Sequence, residues 1–342
     1  MKIKVADLVI DFFAKKGIDK MFVVYGAANG DLIDAFTRTK KTKYISIMHE
    51  QAAGFAAEGY AKVKNIPGVA IATSGPGGQN FVTPIGNCFY DSVPAIFITG
   101  QVKTQFLRPS KKIRQIGFQE TDIVEITKPI TKYSVMIKNE KKILYELEKS
   151  YELATTGRPG PVLIDLPIDI QKKIVDLKKI KHFFKKKIKH NQKNLNKKVE
   201  KYFKDFVKSK RPVILAGGGV RNANAINELQ KLGRFLNIPV FPTWNALDIV
   251  TSDYKNYCGR VGTYGGAGRN FGIQNTDLLL SIGCRLSGRI TGGNVKSFAR
   301  AAKKYMVDVD KDGLKKKWQQ LQFDENIFSD AKEFIKKLLD LI

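Results

Sequence analysis

The spacing of apolar residues predicts strands alternating with amphipathic helices along the first half of the chain. Residues 5–16 place Val, Leu and Phe on one face of a helix that Gly17 ends. Continuous apolar runs, which are typical of strands buried on both faces, follow at 21–24, 44–47, 68–73, 93–99 and 161–166. This order indicates a parallel sheet with helices on both of its faces.

A second block of the same kind follows a lysine-rich stretch. Strands are predicted at 212–216, 238–241, 276–283 and 305–310, with helices at 224–236 and at the end of the chain. The polar composition of 171–195 is typical of a linker. The sequence therefore predicts the α/β class, with three-layer domains at 1–170 and 196–342, each a mainly parallel sheet flanked by helices.

The segment 49–61 predicts a helix with small residues on its packed face. Ala53 and Ala57 recur at helical spacing, and Gly54 lets another element approach closely. Glu50 begins this helix, where the helix dipole favours a carboxylate. Taken alone, Glu50 indicates only a first-turn acid, and the surrounding motifs make it a candidate for chemistry.

The composition disfavours several classes of protein. No apolar run reaches the roughly 18 residues of a membrane span, and the first residues enter an amphipathic pattern directly, so no signal peptide is expected. The three cysteines, Cys88, Cys258 and Cys284, lack metal-ligand spacing. They indicate buried small residues in a reducing, cytoplasmic compartment, and no metal ligands are predicted.

The net charge of +27 raises the question of nucleic-acid binding. Most of the excess is lysine spread along the chain, without a recognition helix, zinc finger or aromatic RNA motif. The charge therefore predicts salt-dependent, non-specific attraction to polyanions, with no nucleic-acid or membrane partner.

Two glycine-rich loops follow predicted strands. Gly75-Pro76-Gly77-Gly78 opens a helix, which is typical of an anion cradle, but no Walker lysine follows. The loop 217–219 lacks the third glycine of a dinucleotide fingerprint. Each loop alone more often marks a tight turn than a site.

The order of these motifs resembles the thiamine-diphosphate-dependent enzymes. The resemblance is carried by Tyr-Gly-Ala-Ala at 25–28, the His-Glu-Gln-Ala-Ala-Gly run from 49, Ala-Thr-Ser-Gly-Pro-Gly-Gly-Gln-Asn at 72–80 and Gly-Phe-Gln-Glu at 117–120. These look like the pyrimidine-binding domain of acetolactate (acetohydroxyacid) synthase large subunits. The sequence from Gly283 to Gly292 resembles the middle domain of the same branch.

The resemblance implies a catalytic role for Glu50. In this family the acid at this position hydrogen-bonds N1′ of the cofactor's aminopyrimidine, which leads to proton removal from thiazolium C2. The resemblance also implies that Gln119 donates to the developing oxyanion of pyruvate, with Phe118 packed beside it. A loop residue bonded to backbone is the alternative for Gln119. The aminopyrimidine pocket is implied to contain Gly26, Ala27, Thr73, Pro76 and Asn80, so the 75–78 loop would hold a ring and not a phosphate.

The middle domain of the relatives binds FAD, which serves no redox role there. The resemblance implies that arginines pair with its diphosphate and that glycines let the backbone approach it. The matching positions are Arg158, Gly217, Gly218, Gly219, Thr243, Gly283, Arg285, Arg289 and Asp308. The chain departs from the synthases near Val261, where they carry His, and near Ser287 and Gly288, where they carry paired acids. FAD is therefore a candidate cofactor only.

The resemblance implies a carboligase that decarboxylates pyruvate and joins the two-carbon unit to a second carbonyl, as in branched-chain amino-acid biosynthesis. Tyr25-Gly26-Ala27, where the synthases show Pro-Gly-Gly, and the stretch 114–133 look more like synthase-like proteins of surface-polysaccharide gene clusters. Some of those are thought to act on a keto sugar. The acceptor thus stays open.

The family's third domain, which binds the cofactor's diphosphate through Mg²⁺ with a Gly-Asp-Gly motif, has no counterpart in the sequence. The chain is therefore expected to be inactive alone. The sequence is expected to be either a fragment or the product of a split gene whose partner carries the missing domain. A homo-oligomer or an assembly with that partner is expected. The alternative is a non-catalytic partner chain that retains the fold.

Overall fold

The computed structural model describes residues 2–184 and 192–342. They form two compact units, and the division between the units falls between residues 186 and 187. Each unit has its own hydrophobic core. None of the described helices is long and apolar enough to cross a membrane.

The first unit is built on a parallel sheet. Its strands are β1 (Lys2–Lys4), β2 (Lys20–Val23), β3 (Lys43–Ser46), β4 (Gly68–Ala72), β5 (Ala95–Gln101), β6 (Tyr133–Met136), β7 (Pro161–Pro167) and β8 (Ile174–Asp176). Its helices are α1 (Val5–Lys15), α2 (Gly30–Ala35), α3 (Glu50–Lys64), α4 (Pro76–Gln79), α5 (Val82–Asp91), α6 (Ile123–Thr127), α7 (Ile143–Thr155) and α8 (Ile168–Gln171). Six strands pair in parallel in the order β3-β2-β4-β5-β7-β6, and β1 pairs antiparallel with β8.

Both faces of the central strands of the first sheet are buried, whereas the edge strand β3 is exposed along its length. Successive side chains of a strand point to opposite faces. On β4, Val69 and Ile71 join a core with α1, α2 and α7. Ala70 and Ala72 face the opposite core, formed with α3 and α5. The first unit is therefore a three-layer structure with a continuous apolar strand at its centre.

Helix α3 packs closely because its buried residues are small, with the exception of Glu58. Ala53 and Ala57 are fully buried. A Cβ at Gly54 would lie 2.6 Å from Pro84 Cβ of α5, which no real contact allows. The predicted close approach at Gly54 is confirmed.

The second unit repeats this architecture. Its strands are β9 (Pro212–Ala216), β10 (Val240–Pro242), β11 (Leu278–Ile282), β12 (Lys303–Asp308) and β13 (Glu325–Phe328). Its helices are α9 (Gln192–Lys208), α10 (Gly219–Asn222), α11 (Ile226–Leu236), α12 (Ala267–Gln274), α13 (Gly288–Thr291) and α14 (Ala331–Leu339). The five strands pair in parallel in the order β10-β9-β11-β12-β13. Ile214 and Leu280 face one core, and Val213 and Leu279 face the other.

The predicted α/β class with two mainly parallel, helix-flanked sheets is confirmed. Four strands, β1, β6, β8 and β13, were not predicted. Part of the predicted linker 171–195 folds with the first unit, since Gln171 is buried and β8 pairs with β1. Residues 185–191 of that linker lie outside the described residues. Cys88 and Cys284 are buried as expected, whereas Cys258 is partly exposed.

Candidate functional site

Glu50 lies at the carboxyl edge of the first sheet as the first residue of α3. His49 caps the helix, because its Nδ1 accepts from the backbone N–H of Gln51 at 3.2 Å. Asn80, directly after α4, donates from Nδ2 to Glu50 Oε2 at 2.8 Å. This bond fixes the direction of a half-buried carboxylate.

Gly77 of the glycine-rich loop lies near Oε1, the other oxygen of this carboxylate. Because glycine has no side chain, the space beside Oε1 stays open. A Cβ at Gly77 would lie 3.2 Å from Glu50 Oε1 and 2.8 Å from Thr73 Cγ2. Within residues 2–184 and 192–342, Oε1 has no hydrogen-bond donor. The pocket therefore keeps one carboxylate oxygen available beside an opening that only glycine permits.

The loop 26–29 forms the next wall of this pocket. The Gly26 N–H donates to Asn29 Oδ1 at 2.9 Å, and the Ala28 N–H donates to Thr73 Oγ1 at 3.2 Å. A Cβ at Gly26 would lie 2.6 Å from Thr73 Cγ2, so the loop and Thr73 are in direct contact. Ala27 between them is exposed.

Gln119 lies against the same glycine loop from the other side. A Cβ at Gly75, whose φ is +61°, would lie 2.8 Å from Gln119 Cβ. Gln119 itself has a φ of 62°, a left-handed conformation that a non-glycine residue seldom adopts. Its side chain is exposed, and Phe118 beside it is 84% exposed.

The structure thus gathers Gly26, Thr73, Asn80 and Glu50 around one opening, with Gln119 against the glycine loop. Pro76 is the first residue of α4, and its carbonyl accepts the Asn80 N–H at 3.0 Å. A carboxylate oxygen without a donor can share a proton with a ring nitrogen, and glycine walls admit a flat ring. The residues therefore fit a nitrogen heterocycle.

Gln171 supports the site and was not predicted from the sequence. Its Nε2 donates to the carbonyls of Ala28 and Leu166, at 2.8 Å in each case. A Cβ at Gly100 would collide with the Ala28 carbonyl, so this loop is held from both sides. The available signal was a polar amide directly after an apolar segment, in a stretch assigned to the linker.

A buried acid beneath the glycine loop was also missed. Asp165 Oδ1 accepts from Thr99 Oγ1 at 2.8 Å, and Oδ2 accepts from Gln101 Nε2 at 3.0 Å. Complete burial raises the pKa of Asp165 to about 7, against the two hydrogen bonds that favour its charged form. A Cβ at Gly78 would lie 3.3 Å from Thr99 Cγ2, so this network supports the loop. An acid within an apolar strand was the sequence signal.

The glycines predicted to hold FAD gather at the carboxyl edge of the second sheet, where they pack against each other. Gly217 donates its N–H to the Ile282 carbonyl at 2.9 Å, and Gly219 to the Gly283 carbonyl at 3.1 Å. A Cβ at Gly219 would lie 2.7 Å from Gly283 Cα, and one at Gly218 would lie 3.0 Å from the Asn245 carbonyl. Backbone packing alone therefore requires glycine at these positions.

The remaining residues predicted for FAD have diverse surroundings. Thr243 is buried after β10, Arg285 is exposed, and Arg289 lies 5.5 Å from the ring centre of Tyr264. Asp308 accepts the N–H of Asp310 at 2.9 Å. Arg158 belongs to the first unit, where its Nε donates to Ser92 Oγ at 2.8 Å. This edge of the second sheet carries arginine side chains that can pair with a diphosphate. Its glycines pack against backbone and leave no open space for one.

Two family models match the chain, one in each unit. The model described as thiamine pyrophosphate enzyme, N-terminal TPP binding domain, matches residues 3–126. The model described as thiamine pyrophosphate enzyme, central domain, matches residues 199–338.

Curated relatives agree with these matches. The chain is 37% identical over 328 residues to a probable acetolactate synthase large subunit of Methanococcus aeolicus, covering 94% of this chain and 53% of the relative. It is 35% identical to a protein of the same name from Methanocaldococcus jannaschii, covering 98% and 56%. The acetolactate synthase large subunit of Corynebacterium glutamicum is 35% identical, with 98% and 52% covered. The chain thus spans about half the length of these relatives.

Proposed function

Because the chain belongs to the thiamine pyrophosphate enzyme family, we propose that it supplies the pyrimidine-binding and middle domains of a thiamine-diphosphate-dependent carboligase. The reaction would release CO₂ from pyruvate and join the remaining two-carbon unit to a second carbonyl compound. The relatives named acetolactate synthase support this reaction class. The observation that carries the proposal is the Glu50–Asn80 pair beside Gly77, with one carboxylate oxygen left without a donor.

Thiamine diphosphate, when bound, supplies the nucleophilic carbon for decarboxylation and carbon–carbon bond formation. Glu50 Oε1 would hold the proton that it shares with the ring nitrogen of the aminopyrimidine, while Asn80 keeps Oε2 in place. Gly77 admits the ring, and Thr73 and Gly26 would form its walls. Ala27 and Pro76, on the exposed side of the same loops, would complete the pocket.

Gln119 is proposed to act on the substrate. Its exposed amide would donate to the oxygen of pyruvate on which negative charge develops. The contact between Gly75 and Gln119 supports this role, because it fixes the backbone of Gln119 beside the ring pocket. Phe118 would exclude water from the same side.

The site is proposed to be completed by another protein surface. Tyr25, Met48 and Phe118, here called the apolar rim, are 71%, 96% and 84% exposed. Tyr25 and Phe118 directly precede Gly26 and Gln119 in the chain, and Met48 lies two residues before Glu50. Large exposed apolar side chains around a site indicate a surface that is covered in the working protein. We propose that the cover carries the diphosphate- and Mg²⁺-binding domain, in an oligomer or on a partner chain.

FAD remains a proposal for the second unit. Exposed Arg285 and Arg289 would pair with its diphosphate, beside Thr243 and Asp308. The mutual packing of Gly217, Gly219 and Gly283 weighs against a close approach of the cofactor to these glycines. A flavin spectrum of the native protein after denaturation tests this point. A cytoplasmic location is proposed as well, in keeping with the three free cysteines.

Replacement of Glu50 in the assembled enzyme tests the proposed function. In the presence of pyruvate, Mg²⁺ and thiamine diphosphate, E50Q should lower kcat by at least about 100-fold, because the amide cannot exchange a proton with the ring. Glu200→Gln is the matched control, since Glu200 is exposed on α9. Near-normal turnover by E50Q would remove Glu50 from the mechanism.

A further inference from the structure

A cavity of about 680 Å³ adjoins the candidate site in the first unit. Gln79 of α4 and Glu120 line it, and they are the chain neighbours of Asn80 and Gln119. Its outer wall is the segment 107–117, here called the basic loop. Two of the lining residues are therefore chain neighbours of residues of the candidate site.

Hydrogen bonds hold the basic loop in one conformation. Glu120 is buried, and its carboxylate accepts the backbone N–H groups of Arg108 at 2.7 Å and Ile116 at 3.0 Å. Arg108 donates from Nη1 to the Ile113 carbonyl at 3.0 Å, and the Gly117 N–H donates to the Phe106 carbonyl at 3.0 Å. These bonds define the position of the wall before any ligand binds.

The charges around the cavity leave one cation, Arg114, beside two neutral donors, the Gln79 amide and the Thr121 hydroxyl. Arg108 pairs with Asp122 at 3.1 Å, and Lys111 pairs with Glu125 at 3.2 Å. Because the charge of Glu120 is met by backbone N–H groups, the lining acids are all engaged. Arg114 and the Gln79 amide line the same cavity, and in the part of the chain that the structure describes neither side chain has a partner.

We propose that Arg114 and Gln79 hold the anionic group of the second carbonyl substrate, a carboxylate or a phosphate. This inference rests on the proposed function, which requires such a substrate beside Gln119. A guanidinium fork matches either group in a bidentate manner, and an amide N–H adds a third donor. Cavities of roughly 300–1,000 Å³ hold ligands well above the size of pyruvate. The acceptor is therefore an acidic carbonyl compound.

Calorimetric titration of the native assembly tests this inference. The probes are ribose 5-phosphate for a phosphate, 2-oxoglutarate for a carboxylate, and uncharged ribose. R114Q should weaken binding of the preferred anion by about ten-fold or more, and Gln79→Ala by a smaller factor. Lys112→Gln is the matched control, because it removes the same charge from the same loop at a residue that does not line the cavity.

The probes also decide which anion the site prefers. The preferred anion is the one whose binding is weakened by R114Q, and the inference requires this of only one of the two anions. Equal weakening by R114Q and K112Q would overturn the inference, because it would indicate general attraction to a basic chain. Absence of binding of both anions in the millimolar range, or ribose binding as tightly as the preferred anion, would overturn it too. Pyruvate decarboxylation is measured separately on the same samples. Anion binding without pyruvate decarboxylation would contradict the proposed function alone. Pyruvate decarboxylation without anion binding would contradict only this inference.

Discussion

Three residues of the candidate site have separate roles. Glu50 carries the charge, Asn80 orients the carboxylate, and Gly77 leaves space for a ligand. Asn80 holds one carboxylate oxygen at 2.8 Å, and Gly77 keeps the region beside the other oxygen open. A hydrogen bond to a charged group contributes about 1.5–3 kcal/mol, which is enough to keep the carboxylate in one orientation. The pocket is therefore arranged before a ligand enters.

Substitution of Gly77 should block the pocket. The Cβ of G77A would lie 3.2 Å from Glu50 Oε1, where the proposed ring nitrogen must come. The affinity of the native assembly for thiamine diphosphate should fall by about ten-fold or more, measured by calorimetry. Gly86→Ala on α5 is the control, because its Cβ would have only Ile130 Cδ1 near it, at 4.0 Å. Unchanged affinity in G77A would show that no ligand approaches this face of Glu50.

Asp165 makes the first unit sensitive to pH in the acidic range. Its ordinary pKa is 3.8, and burial raises it to about 7 in the folded chain. Between these values the unfolded chain is ionised at this residue while the folded chain keeps the proton. The contribution of Asp165 to stability is therefore fully present below about pH 4 and is lost as the pH rises to about 7.

The variant D165N should remove this dependence. Relative to D165N, the free energy of unfolding of the wild type should fall from pH 4 to pH 7 by on the order of 1 to 4 kcal/mol. Urea denaturation of both proteins across this range measures the difference, which also cancels contributions from other groups. Parallel pH profiles would mean that Asp165 does not stay protonated in the folded chain.

Helix α3 connects the site to the core of the first unit. Its first residue is Glu50, and its buried alanines pack on the sheet. Gly54 faces Pro84 of α5, whereas Gly59, one and a half turns later, faces open space. The same residue type thus serves close packing at one position and has no packing role at the other.

The two glycines should respond to alanine with opposite signs. G54A should destabilise the chain by roughly 2 kcal/mol or more, because the Cβ overlaps Pro84. G59A should stabilise it by about 0.5–1 kcal/mol, because alanine has the higher helix propensity and meets nothing within 4 Å. Chemical denaturation of both variants gives the two values. Destabilisation by G59A, or neutrality of G54A, would contradict the packing described for α3.

The elements with strong periodicity were predictable from the sequence. Apolar runs such as 68–73 gave the central strands, and the pattern of 49–61 gave α3. β1 and β8 are strands of three residues each that lie side by side only in the fold, so neither carries a periodic signal. β6 is half-buried throughout, and its mixed pattern is likewise weak.

The parts of the site that the sequence predicted are those that lie in continuous motifs. Glu50, Thr73 and Asn80 stand in such runs, and the structure brings them together. Gln171 and Asp165 support the same loops from distant parts of the chain. Their roles depend on tertiary contacts, at separations of 143 residues between Gln171 and Ala28 and 66 between Asp165 and Thr99. Local patterns do not contain such information.

At the scale of the whole molecule, the chain carries a site with an uncovered rim. It spans about half the length of the curated relatives that it matches. The three side chains of the apolar rim, Tyr25, Met48 and Phe118, are exposed to water, which is costly for large apolar groups. A covering protein surface would bury them and exclude water from the reaction.

Replacement of a rim residue should weaken assembly. Phe118→Ser should reduce the affinity for the covering partner by about ten-fold or more, since buried aromatic side chains carry much of the energy of interfaces. Phe235→Ser is the matched control, because Phe235 is 60% exposed on α11, away from the rim in the sequence. Analytical ultracentrifugation of the native assembly measures both. Equal effects of the two substitutions would argue against the rim as the covered surface.

The most direct test of the proposed shared site is to isolate the native protein from its own cells and identify what accompanies it. We expect a Gly-Asp-Gly sequence with a downstream Asn, on the same polypeptide or on a companion chain, and thiamine diphosphate retained in stoichiometric amount. Mass spectrometry of the purified material reports both. A native protein that carries neither the third domain nor the cofactor would contradict the catalytic role and leave only the fold.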